Sequence, residues 1–260
     1  MGICRQLDPA TKNPFMSAQK VIAVIPARYG STRFPGKPLA PIAGKPLLQW
    51  VWEGAQQSRH ISETRIATDD PRIAQTAAQF GAQVVITRSD HPSGTDRIAE
   101  AIHNTKASWI LNLQGDEPLI TGDFLDSWIQ ALSPKFGMAT VATPLRDPVD
   151  LGNPDMVKVR WDDTGKALGF RRSIPEAESL LWRHQHMGLY AYQPATLQKF
   201  VSLPPSPGEK RDRLEQLRAL ENGIAVQVVP LTFLSVGVDT PGDVTRAERA
   251  LAERAAGIPK

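Results

Sequence analysis

The chain is predicted to be an α/β protein, a single domain around a central, mostly parallel mixed sheet with helices on both faces. Three features predict it: a continuous apolar, β-branched run at Val21–Ile25, a strand and helix alternation that continues to about Leu132, and a change after Gly137 to closely spaced strands that include a hairpin.

Val21–Ile25 suits a strand buried on both faces, and it ends at Pro26. The following segment, Ala27–Pro38, reads ARYGSTRFPGKP, a charged loop. A turn at Ala43–Gly44 leads into a helix over about Leu47–Gln57, with Leu48, Val51, Trp52 and Ala55 on one face. The pattern then repeats in kind. Arg65–Thr68 reads as a short strand, Pro71–Phe80 as a helix with proline in its first turn, and Gln83–Thr87 as a strand. Gly94–Thr105 reads as a helix, Trp109–Leu113 as a buried strand and Thr121–Leu132 as a helix opened by Thr121. Right-handed crossovers are expected between the parallel strands.

Beyond Gly137, Met138–Thr143 reads as a strand, and Val157–Trp161 with Ala167–Phe170 as an antiparallel hairpin across Asp162-Asp163-Thr164-Gly165. Met187–Tyr192 is a further strand, Pro194–Val201 a short helix, Lys210–Glu221 a longer helix, Ala225–Leu231 a strand and Pro241–Arg254 the closing helix. The Pro-rich stretch Leu203–Gly208 is too short to separate domains. The folded domain is therefore expected over residues 20–256, with 1–19, which lack periodicity, as a disordered extension in which Met16 is an alternative start.

Composition excludes several function classes. Thirty Lys and Arg against 27 Asp and Glu leave a formal charge of +3, too weak to predict a nucleic-acid surface. The only cysteine is Cys4, so neither an intramolecular disulfide nor a cysteine-built zinc site is expected, and the setting is read as reducing and cytoplasmic. No run approaches the ~18 apolar residues of a membrane span, the first twenty residues lack a secretory core, and Gln6 stands where a myristoylation motif needs Ser or Thr.

The loop after the first strand brings Arg28, Ser31, Arg33, Gly36 and Lys37 to the carboxyl end of a central strand, where open α/β sheets bind ligands. Small residues let backbone NH groups approach a triphosphate, arginine offers a planar fork and lysine a mobile charge. The segment is neither a Walker A loop nor a GxGxxG fingerprint, so P-loop NTPases and dinucleotide-binding dehydrogenases are excluded; a solvated basic loop is the bland alternative.

A second candidate is Gln114-Gly115-Asp116-Glu117-Pro118, an acidic pair at a strand's end, placed for a magnesium ion with Asp116 as first ligand; the alternative is a turn that uses Gly115 and Asp116 for backbone geometry. In Val236-Gly237-Val238-Asp239-Thr240-Pro241 a short apolar strand leads to Asp239, which has two readings from spacing, a second metal ligand or a helix cap. Arg171 and Arg172, with His184, His186, Tyr190 and Tyr192, read as cations beside hydroxyl-bearing rings, suited to an acidic sugar; for the histidines ordinary packing is the rival reading. Ser93, Thr95, Asp96 and Arg97 lie at a helix start whose NH groups meet a base or phosphate, or are capped by Ser93.

The strings PARYGSTRFPGKPL, SDHPSGTDR, LQGDEP, HMGLYAY, LEQLR and GVDTPGD, in this order between about Val21 and Arg249, resemble the CMP-Kdo synthetase family, the 3-deoxy-manno-octulosonate cytidylyltransferases. The resemblance implies a nucleotide-diphosphosugar-transferase, Rossmann-like fold, dependence on Mg²⁺, and a cytoplasmic homodimer that uses CTP and Kdo in lipopolysaccharide-type synthesis. It further implies that Arg28, Ser31 and Lys37 grip the CTP phosphates, with Arg33, Ser93 and Arg97 beside them. Asp116 and Asp239 would hold magnesium, and Gln114, Arg172, His186, Tyr190, Glu215 and Gln216 would face the sugar. The chain departs from the family pattern at Glu209–Arg213, where a charged run replaces an apolar one, and in a short segment between Arg172 and His184. The rival functions are a cytidylyltransferase for amino-Kdo or a sialic acid, and a non-catalytic nucleotide-sensing homologue.

Overall fold

The computed structural model describes residues 20–257 except 32, 146 and 234; the extension 1–19, with Cys4 and Met16, lies outside them. Strand β1 (Val21–Ala27) runs two residues past the predicted end, because its neighbour on one side pairs with it only as far as Val24, so Pro26 removes no ladder bond there. A short ribbon of β2 (Pro41–Ile42) and β3 (Lys45–Pro46) turns through Ala43 and Gly44, both with positive φ, as two-residue hairpin turns require.

The alternation continues with α1 (Leu47–Gln56), β4 (Ile61–Thr68), α2 (Pro71–Gln79), β5 (Gln83–Ile86), α3 (Gly94–Ala101), β6 (Trp109–Asn112) and α4 (Gly122–Ala131). Asp70, Ser93 and Thr121 cap α2, α3 and α4 through side-chain oxygens. Gly54 lets α1 and α4 meet closely: a Cβ there would lie 2.3 Å from the Ile120 carbonyl oxygen.

The second half adds β7 (Met138–Pro144), the hairpin β8 (Lys158–Trp161) and β9 (Ala167–Arg171), β10 (His184–Tyr192), α5 (Pro194–Ser202), α6 (Pro207–Asp212), α7 (Gln216–Glu221), β11 (Val226–Pro230) and α8 (Asp243–Ala255). The main sheet runs β11-β7-β10-β6-β1-β4-β5, with the hairpin attached to β10. Only β10 runs against its neighbours along that path.

Odd and even residues of β1 face opposite layers. Val21, Ala23 and Ile25 pack with Leu48 and Val51 of α1 and Trp128 of α4. Ile22 and Val24 pack with Ile98 of α3, Phe200 of α5 and Leu217 of α7. Helices therefore cover both faces, and α8 closes a smaller cluster with Ile42, Leu47 and Leu119. No helix among the described residues is long and apolar enough to cross a membrane.

Three expectations need correction. The helix expected over Lys210–Glu221 is two short helices, broken where Arg213 adopts φ 54. The Pro-rich stretch before it supplies a helix start, since Ser206 and Glu209 form a reciprocal capping box and Pro207 occupies the first turn. Val236–Val238 is not a strand, and α8 begins at Asp243 rather than Pro241.

Candidate active site

The chain winds outward from β1 to β4 and β5, then returns to place β6 on the other side of β1. The carboxyl ends of β1 and β6 thus flank a topological switch point, where a crevice opens in doubly wound sheets. Both candidate segments leave from these ends. After β1 the chain folds back on Tyr29, whose carbonyl accepts the amides of Ser31 and Gly36, each at 2.9 Å. Gly36, at φ 72, presses against the Tyr29 ring, which a Cβ would approach to 3.1 Å, and the Arg72 guanidinium lies 3.4 Å from the ring centroid. This clamp delivers Lys37 into the crevice.

Lys37 Nζ donates to Asp116 Oδ2 at 2.7 Å and to Asp239 Oδ1 at 3.2 Å, and Arg33 Nη2 reaches the same Asp239 oxygen at 3.0 Å. The Val238 amide also donates to the Asp116 carbonyl at 2.9 Å, tying the two carboxylate-bearing segments together. Burial works against the Lys37 charge, but the two carboxylates outweigh it and raise its pKa. The cap reading of Asp239 is not what the structure shows. Asp243 Oδ2 instead accepts the amides of Asp239 and Thr240, at 2.9 and 2.8 Å. Burial would raise the pKa of Asp243, yet these bonds, the Thr240 hydroxyl and Arg246 hold it down to about 2. The Asp239 carboxylate is left facing the crevice.

Glu117, the other half of the acidic pair, turns away. Its buried carboxyl accepts the Ser235 hydroxyl at 2.6 Å, and burial, with the charges of Asp116 and Asp239, pushes its pKa up to about 8. It is a neutral acid at pH 7, and the pair acts as one carboxylate and one buried neighbour.

A cavity of about 480 Å³ opens over these groups, walled by Arg28, Ser31, Arg33, Lys37, Gln114 and Asp116 and on its far side by His91, Ser93 and Arg97. Of the two readings for the start of α3, capping is the one observed. Ser93 Oγ accepts the Thr95 and Asp96 amides and donates to Asp96 at 2.7 Å. Arg97 is buried against Thr87, the Arg88 carbonyl and Asp69, so its guanidinium is already committed. Ser31 Oγ likewise accepts the Phe34 amide at 3.4 Å.

Arg33 and Asp239 also belong to a larger cleft of about 1400 Å³, lined by Arg171, Arg172, Arg211 and Arg213 on one side and by Thr240 and Arg246 on the other. Arg172 spends its fork on backbone: Nε donates to the Asp212 carbonyl at 2.9 Å, Nη1 to Pro154 at 3.1 Å and Nη2 to Arg213 at 3.3 Å. The remaining sugar candidates, His186, Tyr190, Glu215 and Gln216, do not wall either cavity.

His186 is buried, and burial pushes its pKa down to about 3, so it is neutral and not a cation. Thr140 Oγ1 donates to the Leu189 carbonyl at 2.7 Å, which leaves its lone pair to accept His186 Nε2–H at 3.0 Å and assigns His186 Nδ1 as an acceptor. Burial and the nearby Glu215 keep the Tyr190 hydroxyl protonated. Glu215 accepts the Thr95 hydroxyl at 2.7 Å, while the buried Gln216 Nε2 has no partner among the described residues. Gln114 packs over Gly188 at the register shift in β10, the kind of irregularity that re-aims side chains beside sites.

Sequence reasoning missed Glu117 as a neutral acid, Asp243 as the acceptor of the Asp239 and Thr240 amides, Arg213 at the helix break and the buried Lys158. A charge between Val157 and Val159, at the start of a hairpin strand, was the signal available for Lys158.

Residues 22–227 match the family model described as cytidylyltransferase. The 3-deoxy-manno-octulosonate cytidylyltransferase of Thermodesulfovibrio yellowstonii is 45% identical over 248 residues, covering 88% of this chain and 97% of that protein. Its counterpart in Pseudomonas syringae pv. tomato is 46% identical over 246 residues, covering 88% and 96%. A solved structure of CMP:2-keto-3-deoxy-manno-octonic acid synthetase complexed with CTP superposes with a TM-score of 0.85 at 38% identity, covering 90% of this chain and 99% of that one. With the carboxylates and lysine converging at the switch point of a fold shared at this level, the chain belongs to the cytidylyltransferase family, among the 3-deoxy-manno-octulosonate cytidylyltransferases.

Proposed function

We propose that this chain couples CTP to 3-deoxy-D-manno-octulosonate (Kdo), giving CMP-Kdo and pyrophosphate for lipopolysaccharide-type polysaccharide synthesis. The observation that carries the reading is the meeting of Lys37, Asp116 and Asp239 where the smaller cavity opens into the arginine-lined cleft. The names of the relatives and the CTP in the related structure support it.

Magnesium fits the donor set. Two carboxylates from separate segments face one point, now spanned by an ammonium at 2.7 and 3.2 Å, and Mg²⁺ is ordinarily held by one or two carboxylates with substrate and water completing the shell. No group of three or more His, Cys, Asp or Glu among the described residues is placed to hold a metal, so phosphate oxygens and water would fill the other positions. Bound there, the ion would neutralise charge on the triphosphate.

The chain's own residues align and neutralise. Arg28, Ser31, Arg33 and Lys37 hold the triphosphate, with Ser93 and Arg97 shaping the wall behind it. The larger cleft receives the sugar, which Arg172 and, from the adjoining cavity, Gln114 orient; His186, Tyr190, Glu215 and Gln216, which wall neither opening, support that pocket from the packed side. The anomeric hydroxyl then attacks the α-phosphorus in line; one P–O bond forms, the bond to pyrophosphate breaks, and the hydroxyl proton passes to solvent. The cytoplasmic setting and a homodimer belong to the same proposal. Exposed Leu168, Leu180 and Leu181 on the hairpin and the turn after it support the dimer, which light scattering would test.

Pyrophosphate release with CTP, UTP and GTP against Kdo, amino-Kdo and a sialic acid tests the reaction. CTP with Kdo is expected to be fastest. Faster turnover of another acid sugar replaces the substrate, and nucleotide binding without turnover of any pair favours the sensing homologue.

A further inference from the structure

Lys158, at the start of β8, has a relative exposure of 0%. Its ammonium donates to the carbonyls of Asn153 at 2.5 Å and Arg172 at 3.0 Å, and no carboxylate lies within ion-pairing distance of Lys158 or Arg172 among the described residues. Burying an ammonium against neutral carbonyls costs several kcal/mol that an apolar side chain of similar length would avoid. General packing does not explain the arrangement.

What the ammonium holds does explain it. Asn153 begins the 153–155 segment, whose Pro154 and Asp155 wall the larger cleft, and Arg172 adjoins it in the same wall. Arg172 in turn reaches Pro154, Asp212 and Arg213, so a lysine and an arginine together lace three segments around the cleft. Both cations bond to carbonyls alone; the carboxylates of Asp150, for Lys158, and Asp212, for Arg172, act on them only from beyond ion-pairing distance.

We infer that Lys158 is a positioning residue for the acid sugar: from behind the cleft it fixes the Arg172 backbone and the 153–155 wall, and so holds the Arg172 guanidinium in place for a carboxylate. This rests on the proposal that the larger cleft receives the sugar. The test uses the full chain carrying Lys158→Met and, separately, Lys158→Gln, which keeps one donor without the charge. Steady-state kinetics are run with each substrate varied, CTP affinity is measured by calorimetry, and folding by circular dichroism.

KM for Kdo is expected to rise about tenfold, equivalent to ~1.4 kcal/mol, in Lys158→Met and less in Lys158→Gln, with kcat and CTP affinity within about twofold of the parent. Unchanged KM for Kdo, or equal losses for both substrates, overturns the inference. So does failure of both variants to fold, which would make the lysine a general stability element. A parent protein that turns over a different acid sugar removes the Kdo reading alone, and the same comparison is then made with that sugar.

Discussion

The smaller cavity and the larger cleft share Arg33 and Asp239, yet Lys37 in the one and Arg172 in the other are held in opposite ways. In the cavity Lys37 and Arg33 are paired with carboxylates. In the cleft Arg171, Arg211 and Arg246 are also paired, but Arg172, with Lys158 behind it, is held by backbone carbonyls. A paired cation is released to a ligand only when something replaces its partner, as a polyphosphate arriving with a metal does. A carbonyl-held cation keeps its charge available to a lone carboxylate. The difference teaches that two anionic substrates can be sorted within one continuous opening by how each cation is supported.

Four measurements would break or sharpen that contrast. The largest effect is expected on the paired side: Asp116→Asn should lower turnover by about 10²–10³-fold while the fold survives, read by pyrophosphate release. A near-normal rate would take the carboxylate pair out of the reaction.

Next is Glu117, the buried acid behind that pair. Its folded pKa of about 8 lies above the ordinary 4.5, so the folded chain keeps a proton that the unfolded chain gives up. Stability is therefore full below about pH 4.5 and falls as pH rises towards 8, by an amount on the order of a few kcal/mol in the nucleotide- and metal-free protein. Glu117→Gln should flatten this slope and be the more stable form at pH 8; urea unfolding at pH 5 and 8 decides, and parallel curves would show that the carboxyl is ionised.

On the other side, Arg172→Lys exchanges a fork spanning three carbonyls for a single ammonium. KM for the sugar should rise about tenfold with little change for CTP, and equal effects on both substrates would erase the division between the two regions. The smallest change is expected from Ser206→Ala, which removes the cap of the helix leading to Arg211 and Arg213. It should cost about 1 kcal/mol in thermal or urea unfolding without altering CTP affinity; a loss of CTP affinity would mean that the cap supports the wrong side.

The same division governs what could be read in advance. The cavity side was largely legible, because its loop and acidic motif each follow directly on a strong apolar strand, and strand ends are where such sheets bind ligands. The cleft side was not. The break at Arg213 contradicts a continuous helical pattern, since nothing in Glu209–Arg213 announces a left-handed residue, and the elbow it makes is held by Arg218 forked onto Glu209 at 2.8 and 2.5 Å. His186 had two readings, a cation beside tyrosines or a packing histidine, and only its burial under Phe170 and Tyr190, which makes it neutral, removes the first.

By itself the sequence determined the strand and helix alternation, the two motifs at strand ends and the resemblance to a cytidylyltransferase, because each is carried by residues within a few positions of one another. Tertiary structure alone decided that Asp116 and Asp239 meet at Lys37, 79 and 202 positions away from it along the chain, that Asp243 ties down the Asp239 backbone, that Glu117 is neutral and that Lys158 is buried. Charge state and pairing depend on the solvent excluded and the partners supplied by distant segments, and those are properties of the packed chain, not of any stretch of it.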